Sequence, residues 1–107
     1  MLFRSLSVSR PAAVTISGLS GYVVDLRVTK GWTKTCPGWK NVFVETVTGR
    51  PPSPGDLSHG LGPQPAVQRL YLLNYKGGTL GIELLALKDA ARLGAYSKVV
   101  KTFRFAV

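Results

Sequence analysis

Apolar and polar residues alternate along the first half of the chain with the period of β-strands. The clearest run is GYVVDLRVTKG, in which every second residue from Tyr22 to Val28 is apolar, and Asp25 and Arg27 lie between them. Successive side chains of a strand point to opposite faces, so this pattern predicts a strand with one buried face. Shorter runs at Val14–Ile16 and Val42–Val47 predict two further strands. We therefore predict a β-rich N-terminal half.

The second half begins with an apolar run and then changes period. VQRLYLLNY, residues 67–75, predicts a buried strand, because its residues Leu70–Leu73 are apolar on both faces. Beyond KGGT, the apolar residues recur at i, i+4, i+7 and i+11 from Leu80, which favours one long helix near residues 80–93. Thr79 is the expected N-cap of this helix and Gly94 its expected end.

The last residues alternate again. In SKVVKTFRFAV the apolar positions Val99, Phe103 and Phe105 share one alternation, which predicts a final strand. A strand, a helix and a further strand would form a C-terminal βαβ-like unit if the two strands were parallel. The expected fold is α+β, or a small α/β fold.

Two connecting segments are rich in Gly and Pro. Residues 30–40 are too long for a tight hairpin turn and predict an exposed loop. Residues 49–66 contain five prolines and four glycines, a composition that opposes both helix and sheet. We expect a long loop or an extended arm there.

The chain has 107 residues, enough for a single domain with one core. We divide it into a basic N-terminal arm, residues 1–13, and a small basic domain, residues 14–107, which includes the Pro/Gly-rich loop 49–66. Charges or glycines interrupt every apolar run before it reaches the roughly 18 residues that span a bilayer. No transmembrane segment is expected.

Charge is the strongest compositional signal. Fourteen Lys and Arg oppose five Asp and Glu, which gives a formal net charge of +9. An anionic partner would relieve the resulting self-repulsion. RNA is the first expectation, while an acidic protein neighbour or an anionic membrane surface would meet the same electrostatic need.

One candidate RNA contact lies in and beside the first Gly-rich loop. Cations neutralise phosphates, and flat aromatic rings stack on unpaired bases. The alternative is that the tryptophans fold onto the core and the lysines are merely solvated. The residues of this set are Arg27, Lys30, Trp32, Lys34, Trp39 and Lys40.

A second candidate contact lies in the C-terminal tail, where no acidic residue occurs beyond position 90. Lys98 and Arg104 would share one face of the predicted final strand, with Lys101 close by, so a packed strand would present positive charge to an anion. The alternative is the polar face of an edge strand, where lysines oppose aggregation.

The sequence gives little support for catalysis or cofactor binding. Cys36 is the one cysteine and His59 the one histidine, and neither has a partner nearby in the sequence. NYKGGTLG could hold a phosphate at a helix N-terminus, but it lacks the spacing of a nucleotide-binding loop and is read as a plain turn. We therefore predict no enzyme, no catalytic residue, no metal, no cofactor and no small-molecule substrate.

The first ten residues, MLFRSLSVSR, have the composition of a mitochondrial or plastid targeting signal, and we expect the signal to be retained. A basic arm, a Pro/Gly-rich segment and a small basic domain together are typical of a structural subunit. We predict a protein of an organellar ribosome that contacts rRNA and neighbouring proteins, and we expect a mitochondrial location. The alternatives are an accessory subunit of a respiratory or ATP-synthase complex and a viral or phage structural protein.

Overall fold

The computed structural model describes residues 5–36, 42–48 and 57–106, and it gives the backbone alone for 44–48 and 57–59. These ranges form an antiparallel sheet of five strands, a separate two-stranded sheet and one helix near the C-terminus. The elements in chain order are β1 Leu6–Val8, β2 Ala12–Ile16, β3 Leu19–Val28, β4 Val44–Thr48, β5 Leu57–Leu61, β6 Val67–Tyr75, β7 Gly78–Ala86 and α1 Arg92–Val100.

The long strand β3 organises the five-stranded sheet. Its C-terminal half pairs with β1, its N-terminal half pairs with β2, and β6 lies between β3 and β7. Every pairing is antiparallel. The small single-domain α+β fold and the β-rich N-terminal half are therefore confirmed, and so are the strands predicted around Val14–Ile16, Tyr22–Val28 and residues 67–75.

Two tight turns lie at one end of this sheet. Ser17 and Gly18 join β2 to β3, and Lys76 and Gly77 join β6 to β7, all four with positive φ. Positive φ at both central residues is the geometry of type I′ turns, whose twist matches that of antiparallel strands. The pairing of Gly21 with Leu73 brings both turns to the same end.

The helix predicted near residues 80–93 is wrong, because this segment begins as β7. Lys76 and Gly77 return the chain at once onto β6, and nine residues pair in register from Val67 with Ala86 to Tyr75 with Gly78. The backbone hydrogen bonds of this ladder outweigh a weak helical periodicity. Thr79 is therefore a strand residue and not an N-cap.

The predicted final strand is also wrong, because its first residues complete α1 and residues 101–106 form no strand. Asp89 Oδ1 accepts a hydrogen bond from the backbone N–H of Ala91 at 3.0 Å just before the helix begins. Leu93, Tyr96 and Val100 then recur at helical spacing and face the sheet. The order is strand, strand, helix, so the antiparallel β6–β7 hairpin replaces the predicted βαβ-like unit, and Gly94 lies inside α1.

The predicted loop 49–66 is interrupted by a strand. Leu57–Leu61 forms β5, which pairs with β4 from Val44 with Leu61 to Thr48 with Leu57. Residues 49–56 lie outside the described ranges. The described part of the predicted arm, residues 5–13, contains β1 and the start of β2.

The five-stranded sheet buries apolar residues on both faces. On one face Ile16, Tyr71 and Leu73 pack with Val100 of α1. The opposite face is covered at one end, where Leu26 and Val28 pack with Leu61 of β5 and with Ala66 and the half-buried Trp32. We call these the helix face and the opposite face. Among the described residues, no helix is long and apolar enough to cross a membrane.

Candidate functional site

The cations predicted in the C-terminal tail lie on α1 and just beyond it. Lys98 is exposed in the last turn, and Lys101 is the exposed C-cap residue. Residues three apart on a helix are neighbours, so the two ammonium groups lie on one side of α1. Arg104 lies farther on and donates hydrogen bonds to Ser17 Oγ at 3.1 Å and to the carbonyl of Phe103 at 2.9 Å. Lys98 and Lys101 therefore belong together, and Arg104 belongs to the turn end of the sheet.

The loop residues predicted to contact RNA lie at the other end of β3. Lys30 and Lys34 are exposed, and Lys34 Nζ lies 6.0 Å from the centre of the Trp32 ring. Trp32 itself is half-buried against the core of the opposite face. Its Nε1 is buried without a hydrogen-bond partner in the part of the chain that the structure describes. Trp39 and Lys40 lie outside the described residues.

The structure does not bring the two predicted sets together. Trp32 packs on the opposite face, whereas α1 with Lys98 packs on the helix face. Arg27 is half-buried, and strand alternation places it on the helix face together with Asp25. The loop and the tail are thus two separate basic surfaces.

A polar network links the sheet to α1 on the helix face. Arg69 Nε and Nη2 donate to the two carboxylate oxygens of Asp25 at 2.7 and 3.0 Å, and Nη1 donates to Ser97 Oγ at 2.9 Å. The hydroxyl of Tyr71 lies 3.0 Å from the same Ser97 Oγ. Since Asp25 and Arg69 are register partners on β3 and β6, the ion pair is set by the sheet, and Ser97 fixes the helix against it.

The environment of Arg69 keeps its guanidinium charged. Hydrogen bonds to Asp25 raise its pKa, partial burial lowers it, and the charge of Asp25 raises it further, with a net increase above the ordinary value. The bidentate contact leaves Asp25 committed to Arg69. Asp25 therefore offsets Arg69, and the other cations nearby are left to interact with outside anions.

These groups line an open cleft of about 240 Å³ between β2, β3 and the end of α1. Arg10 from the β1–β2 connection and Lys101 from the helix end line it, and Arg69 forms part of its floor. Ser9 Oγ accepts a hydrogen bond from the backbone N–H of Asp25 at 2.8 Å, which holds the connection against β3. We call this site the basic cleft. Three cations from distant parts of the sequence meet there with one carboxylate.

Sequence reasoning missed Arg10, Asp25 and Arg69 as members of a site. One signal was present, because Asp25 and Arg69 are charged residues inside strands whose neighbours at i±2 on the same face include Val23, Val67 and Tyr71. Opposite charges on adjacent strands are candidates for a cross-strand pair. The convergence of Arg10 with Lys101 had no sequence signal, since it depends on where α1 packs.

The described residues provide no metal or nucleotide site. No group of three or more His, Cys, Asp or Glu residues lies close enough to hold a metal ion in the described ranges. Cys36 is a half-buried free thiol whose backbone N–H donates to Val42 O at 2.7 Å. The glycines after Lys76 form a turn between two strands, so no helix N-terminus lies there to bind a phosphate.

Comparison of the chain with protein-family models, with curated proteins and with solved structures finds no match.

Proposed function

We propose that this protein is a non-enzymatic, basic structural subunit that contacts RNA through the basic cleft and the adjacent side of α1. The observation that carries the proposal is the meeting of Arg10, Arg69 and Lys101 in one open cleft, with Lys98 on the next helical turn. Phosphates of a nucleic-acid backbone are bound through such clusters by charge attraction and counterion release.

The charge balance supports a polyanionic partner. Fourteen cations oppose five carboxylates in the whole chain, so at least nine cations have no carboxylate of their own. In the cleft, both carboxylate oxygens of Asp25 accept hydrogen bonds from Nε and Nη2 of Arg69, which leaves Arg10 and Lys101 to meet an anion from outside. A chain of phosphates presents many charges in sequence and offsets this excess better than a single small anion does.

The proposed setting is a large ribonucleoprotein, with an organellar ribosome in mitochondria as the first choice. Support comes from the basic, serine-containing start of the chain and from the Pro/Gly-rich segment 49–66. Neighbouring proteins of the same assembly are the second class of partner.

Removing two charges beside the basic cleft tests this proposal. For the double variant Lys98→Ala with Lys101→Ala, we expect weaker binding to single-stranded RNA. We also expect the slope of log affinity against log salt to be shallower by about 1.4, since each phosphate contact contributes about 0.7. The measurement is a fluorescence-anisotropy titration with labelled oligouridylate at several salt concentrations.

The matched control is Lys30→Ala with Lys34→Ala, which removes the same charge from the loop at the far end of β3. We expect a smaller change of slope from this control. An unchanged slope in the helix variant would contradict the proposed contact. A thermal melt of each variant accompanies the titration, because cations near a helix C-terminus also stabilise the helix by about 0.3 to 1 kcal/mol each.

A further inference from the structure

Within the described ranges, no packed element covers the turn end of the opposite face of the sheet. The cover formed by Leu61, Ala66 and Trp32 lies over Leu26 and Val28, and it does not reach Tyr22. Tyr22 is 57% exposed and its register partner Leu72 is 39% exposed, both among the largest apolar exposures in the described chain. Because the two residues are register partners, they form one contiguous apolar surface rather than two scattered side chains, and such a surface can mark an interaction site.

The surroundings of Tyr22 form a shallow groove of about 350 Å³. Ala13 is the register partner of Tyr22 on β2, and its single methyl group leaves room beside the ring. Thr15, Ser20 and Asn74 line the same groove and carry hydroxyl and amide groups. The groove thus combines one aromatic surface with neutral hydrogen-bonding groups, which is the chemistry that recognises a nucleobase.

Two cations lie at the turns at this end of the sheet, toward the helix face. Lys76, in the β6–β7 turn, is exposed, and its Nζ lies 5.3 Å from the centre of the Tyr75 ring, which contacts Phe105 on the helix face. Arg104 is held at the β2–β3 turn by its hydrogen bond to Ser17 Oγ. The groove lining itself contains no charged residue. A neutral groove suits a base, while the cations lie past the turns on the helix face, where they suit the phosphate of a neighbouring nucleotide.

The edge strand β2 connects this groove with the basic cleft. Ala12, Val14 and Ile16 line the cleft on the helix face, while Ala13 and Thr15 line the groove on the opposite face. Because side chains alternate across a strand, one edge strand separates the two sites. A single RNA strand that crosses this edge therefore reaches phosphate-binding cations on one side and an aromatic surface on the other.

We propose that Tyr22 stacks on an unpaired base of a single-stranded RNA, with Thr15, Ser20 and Asn74 contacting the base edge. This inference rests on the proposed RNA contact and adds the kind of RNA that is bound. Double-stranded RNA does not fit, because its bases are already stacked within the duplex. A second copy of the chain is a poorer occupant, since it would add another +9 of like charge.

The test compares Tyr22→Ala, Tyr22→Leu and Tyr22→Phe for binding to an oligouridylate of about 8 nucleotides and to an abasic oligomer of equal length. We expect Tyr22→Ala and Tyr22→Leu to lose about 5-fold to 150-fold in affinity for the oligouridylate, the range that base stacking supplies. Tyr22→Phe keeps the ring and stays within about twofold. The salt slope is unchanged in all three variants, because no cation is removed.

The abasic oligomer and a surface control separate the outcomes. All Tyr22 variants should bind the abasic oligomer as the wild type does. The surface control is Leu87→Ala, because Leu87 is 63% exposed and does not line the groove. This variant should leave the affinities for both oligomers unchanged. Equal oligouridylate affinity of Tyr22→Ala, Tyr22→Leu and wild type would overturn the stacking site while the RNA proposal stands. Failure of the wild type to bind either oligomer would overturn the proposed function itself, and dimerisation that depends on Tyr22 in sedimentation would assign the groove to a second copy.

Discussion

Gly21→Ala should destabilise the protein by about 3 kcal/mol or more, at the upper end of the cost of overpacking. A Cβ at position 21 would lie 2.0 Å from the carbonyl oxygen of Leu72 and 2.8 Å from Cα of Leu73. Both contacts are with backbone, which cannot rotate away as a flexible side chain can. The two central strands β3 and β6 would have to separate, and this pair carries six register partners. Urea denaturation of the variant and the wild type measures the difference.

Gly81→Ala is the matched control for this substitution. Gly81 lies in β7 opposite Leu72, and a Cβ built there meets no heavy atom within 4 Å. Alanine in a strand costs less backbone entropy than glycine, so we expect this control to gain about 0.5 to 1 kcal/mol. Equal stability of Gly21→Ala and wild type would show that β3 and β6 are farther apart than described here.

Arg69→Met should cost about 2 kcal/mol of unfolding free energy. The substitution removes three hydrogen bonds from the guanidinium and leaves Asp25 without its countercharge under α1. Breaking a fully buried pair costs about 3 to 5 kcal/mol. The side chains of Arg69 and Asp25 are 26% and 19% exposed, so water screens part of this cost.

A double-mutant cycle isolates the pair itself. Arg69→Met with Asp25→Leu removes both charges and should be more stable than Arg69→Met alone, because no carboxylate then lies unpaired beneath the helix. The coupling free energy between the two positions should be about 1 to 2 kcal/mol. Strict additivity of the two single substitutions would mean that the ion pair does not contribute to holding α1 on the sheet.

The sequence predicted β3 and β6 correctly because their apolar residues follow patterns that are typical of strands. β3 carries such a pattern from Tyr22 to Val28, and β6 contains the continuous apolar run Leu70–Leu73. β7 could not be separated from a helix, because Leu80 and Leu84 fit both periods. Only the two-residue turn at Lys76 and Gly77 distinguishes them, and a Lys-Gly turn is a weaker hairpin signal than Asn-Gly.

Of the candidate site, only the presence of unpaired cations could be predicted from the sequence. Lys98 and Lys101 stand out as cations without nearby acids, and the sequence placed them on a strand where the structure has a helix. The meeting of Lys101 with Arg10 required the docking of α1 across the sheet, which Leu93 and Val100 determine through burial. Tyr22 looked like a core residue because it shares an alternation with Val24 and Leu26, and its exposure depends on how far β4 and β5 cover the sheet.

The most direct test of RNA contact is sedimentation of the tagged full chain from its native cell extract at low and high salt, with and without ribonuclease. We predict that at low salt the protein migrates with ribosomal proteins, that ribonuclease releases it, and that high salt weakens the association. Migration with membrane complexes or with copies of itself that resists ribonuclease would contradict the account and assign the basic surfaces to protein partners.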